Sequence, residues 1–170
     1  MEHRIEHLFD VPEDRLWQVF LFDEEYNDGL YRHLKLKVEG RQLEREGEGE
    51  SLVVRRTVEM VPDRQIPSVL KAIIRGATLV REEGHFKARE RRFEIALVVP
   101  IFGNRVDYGG CFLWEPVEGG RKTRRIWEGY CRARIPLAGG ALERYLLGEM
   151  ERGLALACEF ATGYFATHAA

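Results

Sequence analysis

Histidines and cysteines are the residues of this 170-residue chain best able to do chemistry, and their spacing limits what they can do. His3 and His7 fall on one face of an alternating segment, with Ile5 between them. Two imidazoles so placed could begin a metal site. A third ligand would have to come from His33, His85 or His168, all distant in sequence, and no recognised ligand spacing is present. Surface histidines on an edge strand are the plainer reading, and no metal is expected. Cys111, Cys131 and Cys158 form no CxxC pair, which argues against both a zinc site and a disulfide framework. Cys131 stands among apolar strand residues with no base near it in sequence, and reads as a buried, inert thiol; Cys158 reads the same way. The stretch FGNRVDYGG lacks the spacing of a phosphate-binding loop, so no nucleotide or other cofactor is expected. Arg105 and Asp107 within it read as turn and strand-surface residues.

The aromatic residues are more informative. Trp114, Trp127, Tyr108 and Phe112 form the richest group in the chain. Core packing is the simplest reading of each. The functional reading is a cavity wall, to which tryptophan and tyrosine bring apolar area and one hydrogen-bonding edge. Met150, Phe160 and Tyr164, on the last apolar run, extend the same wall. Glu149 flanks the apolar side of that run, either exposed or as the one polar group of an apolar pocket.

The elements that position these residues can be read from composition and periodicity. Hydrophobic residues make up 45% and charged residues 32%, a globular balance, and the length suggests a single domain over 1–170. The formal net charge of -2 gives no sign of a nucleic-acid or anionic-membrane partner. Arginine is interleaved with glutamate in EREGEGE and VREEGHFKARERRFE, a pattern of solvated strand faces. No apolar stretch approaches the ~20 residues that cross a bilayer, and the N-terminal segment lacks the apolar core of a signal peptide. A reduced, cytoplasmic compartment is the default expectation.

HRIEHLFDV alternates as a first strand. Pro12, Glu13 and Asp14 suit a helix start, and two short helices are expected between Pro12 and His33. A meander of about six strands follows, interrupted by PDRQIPSVLKAIIRG. There Pro67 can open one or two helical turns with Val69, Leu70, Ile73 and Ile74 apolar, and Gly76 can end them. That excursion is expected to act as a lid. The chain closes on a long amphipathic helix, with Leu142, Leu146, Met150, Gly153, Ala157, Phe160 and Tyr164 on one side and Arg144, Glu151, Arg152, Glu159 and Thr162 opposite. Gly139 and Gly140 would allow the abrupt turn into this helix, and Gly110 and Gly129 suggest bends or bulges in their strands. Strands with one apolar face need a cover. The expected architecture is α+β, a curved antiparallel sheet of about seven strands wrapped around the last helix. A curved sheet and a straight helix leave a cavity between them.

This element order resembles the helix-grip fold of the START-like superfamily, also called SRPBCC, which includes polyketide cyclases and the birch-pollen-allergen type. The segment IPLAGGALERYLLGEMERGLALACEF further resembles an uncharacterised bacterial family of that superfamily. Its members carry an iPl-x-GG-x-lE junction, matched here by Ile135, Pro136, Leu137, Gly139, Gly140, Leu142 and Glu143, and a mid-chain lP, matched by Ile66 and Pro67. The resemblance implies an apolar ligand cavity beneath the last helix and brings no catalytic motif. A non-catalytic binding or carrier protein for a small hydrophobic, lipid-like or polycyclic molecule is the leading reading. An enzyme of the cyclase, aromatase or hydrolase kind and a ligand-free interaction module remain the alternatives. Oligomeric state is not legible.

Overall fold

The computed structural model describes residues 1–74 and 78–169. A first strand, β1 (Glu2–Phe9), is followed by two tandem helices, α1 (Glu13–Phe22) and α2 (Glu24–His33). Six strands come next: β2 (Leu36–Glu46), β3 (Val53–Pro62), β4 (Val80–Lys87), β5 (Arg92–Val98), β6 (Val106–Val117) and β7 (Lys122–Ala133). The final helix, α3, spans Gly139–Thr167. Every neighbouring pair of strands is antiparallel, in the order β1-β7-β6-β5-β4-β3-β2. The first strand therefore sits beside the last, and the two short helices carry the chain to the opposite edge of the sheet.

Local chemistry accounts for these elements. Acidic Glu13 and Asp14 occupy the first turn of α1, where the helix dipole favours them. Asp23 caps α2, its Oδ1 accepting from Tyr26 N at 2.8 Å. β2 is the exposed edge. Its charged residues and a register shift between Val38 and Gly40 blunt it against pairing with another chain.

The junction before α3 departs from expectation in its details. The positive φ (63°) belongs to Leu137, which is wholly exposed, and not to either glycine. Gly139 is required for space: a Cβ there would stand 2.3 Å from the Ala133 carbonyl oxygen. Glu143 completes the junction, its Oε1 accepting from Ala133 N at 2.8 Å, so the glutamate of the motif ties the helix to the end of β7. Gly110 and Gly129 pair directly in an unbroken β6–β7 register, so neither marks a bulge. They clear room for the Trp127 indole, which a Cβ at either position would approach within 2.6 Å.

The apolar face of the sheet packs on α1, α2 and the C-terminal half of α3 through Phe9, Leu16, Tyr26, Phe86, Phe93, Trp127, Leu154, Ala161 and Phe165. A separate cluster at the other end joins Leu70, Ile74, Val99, Phe102 and Leu142.

Candidate functional site

Between these two clusters lies a cavity of about 750 Å³, bounded by the sheet on one side and α3 on the other. The strands contribute Met60, Ile95, Leu97, Tyr108, Phe112 and Trp127, and α3 contributes Tyr145, Leu146, Met150, Gly153, Leu154 and Ala157. Exposed Asp63 and Lys71 are also among its borders, so the cavity reaches solvent near the start of α3. Its other end stops at Phe20, Asn27 and Arg125, beneath α1 and α2.

Five of the eight expected wall residues border this space: Trp127, Phe112, Tyr108, Met150 and Glu149. Tyr108 is locked, its hydroxyl donating to the Leu146 carbonyl at 3.0 Å. Trp127 donates through Nε1 to His3 Nε2 at 2.9 Å. Glu149 accepts from Arg64 Nε at 2.9 Å and also pairs with Arg152, so its charge is matched at the rim.

The other three do not border the cavity. Trp114 is packed under α1 against Phe20, Phe86 and Phe112. Phe160 lies against Tyr26 and His33 of α2. Tyr164 donates to Asp23 Oδ2 at 2.9 Å and so braces the cap of α2. All three are displaced by the same cause: α1 and α2 occupy the space that would otherwise continue the cavity.

Of the expected lid residues, Ile74 borders the cavity. Leu70 is buried in the satellite cluster, Ile73 packs at its edge, and Val69 points to solvent at 66% exposure. Ser68–Leu70 is a single 3-10 turn where one or two helical turns were expected, and Gly76 lies outside the described residues.

His3 and His7 also differ from expectation. β1 is an edge strand, but both imidazoles face inward and are half-buried. Burial lowers the pKa of each, and the Arg125 charge lowers that of His7 further. Among the described residues, no group of three histidine, cysteine or acidic side chains could hold a metal. Cys131 is fully buried, and its thiol is pushed up to about 12.

Sequence reasoning overlooked the charged groups inside. Arg56 of β3, Glu82 of β4 and Arg125 of β7 all border the cavity. Arg56 is 4% exposed and donates from Nε and Nη2 to Glu82 Oε1 at 3.0 and 2.7 Å, and from Nη1 to the Phe20 carbonyl. Arg125 is equally buried and has no carboxylate partner among the described residues. Among the described residues its Nε has no hydrogen-bond partner, nor does Asn27 Oδ1. The signal was the two-residue period: Val54, Arg56 and Val58 share a face, as do Arg125, Trp127 and Gly129.

Sheet order, the grip of seven strands on α3 and the cavity between them define an α+β helix-grip fold. Solved structures agree over nearly the full length. Norcoclaurine synthase from Thalictrum flavum, solved with dopamine and hydroxybenzaldehyde, is 14% identical with a TM-score of 0.60, covering 100% of this chain and 88% of that one. The Zhui aromatase/cyclase from Streptomyces sp. R1128 is 15% identical with a TM-score of 0.59, covering 99% and 98%. A START superfamily protein from Mycobacterium smegmatis is 15% identical with a TM-score of 0.58, covering 96% and 98%. Residues 4–165 match the model of the family described as "Protein of unknown function (DUF2505)", and the chain belongs to that family. No curated protein matches the sequence. Among the described residues, no helix is long and apolar enough to cross a membrane.

Proposed function

We propose that the chain acts as one START-like domain that binds a small, mainly hydrophobic molecule between its sheet and α3, as a carrier or receptor. The cavity carries this reading. Protein interiors are close-packed with few voids larger than a water molecule, whereas ligand pockets run to ~300–1,000 Å³. A space of about 750 Å³ walled by Ile95, Leu97, Phe112, Trp127 and Met150 falls in the second class. A closed interaction module has no use for it.

The charged groups on the same wall favour a second reading, an enzyme that polarises a bound carbonyl. General acid–base catalysis needs a group that exchanges a proton near the working pH. Arginine does not deprotonate in proteins. Glu82 is held by Arg56, Tyr108 is bound to a backbone carbonyl with its pKa raised by burial, and the Cys131 thiol is pushed up to about 12. These groups orient and polarise better than they carry protons, so binding is the stronger reading.

A neutral apolar dye, N-phenyl-1-naphthylamine, should bind the folded protein with enhanced emission and altered tryptophan fluorescence. Gly153 faces the cavity, and a Cβ there would have nothing within 4 Å. Gly153→Leu should therefore fill the cavity and weaken dye uptake without unfolding the chain. A well-folded wild-type protein that takes up no dye would sink the reading.

A further inference from the structure

The two arginines inside the cavity are equally buried and unequally partnered. Arg56 has a carboxylate, Glu82, and a backbone carbonyl. Arg125 has neither. Its one hydrogen-bonding neighbour among the described residues is His7 Nδ1 at 3.4 Å, a weak contact with a half-buried ring whose pKa burial lowers. The remaining neighbours are ring faces, Phe9 at 4.8 Å and Phe112 at 5.1 Å from the guanidinium carbon. Nearby Tyr26, pushed up to about 12 by burial, supplies no negative charge at neutral pH.

A cation removed from water without a counter-charge is strongly unfavourable, and ring faces offset only part of that cost. A planar guanidinium whose buried Nε has no partner among the described residues keeps unmet donor capacity, and its fork suits a planar oxyanion. Arg125 also stands at the end of the cavity closed by α1 and α2, away from the opening at Asp63 and Lys71.

Resting on the binding reading above, we propose that the ligand is a hydrophobic monoanion, with a carboxylate or equivalent planar oxyanion at one end. It enters with the anionic end leading and pairs it with Arg125, while its apolar body lies against Trp127, Phe112 and Met150. Arg56 does not take this role because Glu82 already holds it. Asn27 Oδ1, also unpartnered and also on the cavity border, is an acceptor and offers the oxyanion nothing; Trp114 Nε1, likewise unpartnered, belongs to a residue that does not border the cavity.

The test is a matched pair of probes, dodecanoate and dodecanol, competing with N-phenyl-1-naphthylamine on wild type, Arg125→Met and Gly153→Leu. Dodecanoate should displace the dye from wild type about tenfold better than dodecanol, a margin suited to one charge-assisted pair in a dry site. In Arg125→Met the two probes should become equal, dodecanol should bind as before, and Tm should rise because a lone buried charge has gone. Equal displacement by the two probes on wild type would overturn the anion proposal and leave hydrophobic binding standing. Displacement by neither would overturn both. Should Arg125→Met fail to fold, the wild-type ratio and the ligand-induced Tm shift of each probe still decide: a larger shift with dodecanol rejects the proposal.

Discussion

The two halves of α3 face one sheet and serve it differently. Beyond Ala157 the helix is packed: Ala161 is fully buried, and the Tyr26 ring lies 5.5, 5.1 and 6.3 Å from those of Phe160, Tyr164 and Phe165. From Tyr145 to Ala157 the helix borders open space, through Leu146, Met150 and Gly153 among others. Both halves are apolar, so hydrophobicity does not separate them. The difference comes from the opposite side, where α1 and α2 fill the groove over one half. Among the described residues, the segment around Leu70 and Ile74 is what covers the other. The cavity exists because the two short helices end where they do.

The largest effects should fall on the packed half. Truncation before Gly139 bares the apolar sheet face and should leave an aggregated or molten chain, seen as loss of a cooperative thermal transition. Phe165→Ala should cost ~3–5 kcal/mol in denaturant unfolding, because neighbours on every side leave a void. Met150→Ala should cost less than half as much, since its side chain already borders empty space. Equal costs would mean that the two halves are equally packed and the cavity collapses in solution.

Adding atoms should reverse the ranking. Ala161→Leu overpacks a full site and should destabilise by ~1–3 kcal/mol. Gly153→Ala should stabilise by up to ~1 kcal/mol, because glycine is a poor helix former and nothing opposes its Cβ. Opposite signs at two small residues of one helix would confirm the division. Destabilisation at both would break it.

The division was only partly legible in the sequence. Alternation gave the strands, and helical spacing gave the α3 stripe, so sheet and helix could be placed against each other. Which stretch of the stripe meets open space depends on α1 and α2, and that is tertiary information. Trp114, Phe160 and Tyr164 were assigned to the cavity for this reason. Arg56 and Arg125 were a different kind of miss. Their phase with Val54, Val58 and Trp127 points them inward, but arginine is almost never fully buried unless paired, and the sequence alone names no partner. In Arg55–Arg56 and Arg124–Arg125 one member is exposed and the other buried, and only the period distinguishes them.

Acidification should act on the β1 edge, alongside both halves. Burial lowers the folded pKa of His3 and His7 below their ordinary value of 6.5. The folded state then binds fewer protons than the unfolded one. Their contribution is complete above pH 6.5 and is lost as pH falls through the lowered folded values. A protonated His3 also cannot accept from Trp127 Nε1, so tryptophan emission should change over the same range. Glu143, lowered chiefly by its bond from Ala133 N, is lost only at more acid pH, below its ordinary 4.5. Thermal melts between pH 7.5 and 5 should show a declining Tm that the His3→Gln, His7→Gln double variant flattens. A wild-type Tm unchanged over that interval would reject the assignment of neutral, inward histidines.

The smallest effects should come from the segment over the open half. Val69 and Ile74 sit five residues apart in the same excursion, one at 66% exposure and the other at 7% and bordering the cavity. Val69→Ser touches no packed neighbour and should change stability by less than ~0.5 kcal/mol, with dye affinity unaltered. Ile74→Ser should weaken dye uptake a few-fold, because it removes apolar wall from the rim and brings a hydroxyl into it. Hydrogen exchange joins this contrast to the first one. A lid should exchange faster than the central strands and become protected when dye is bound, whereas the C-terminal half of α3 should be protected in both states. Protection of Leu70–Ile74 equal to that of β6 and β7, and indifferent to dye, would make this segment fixed packing and require the ligand to enter elsewhere.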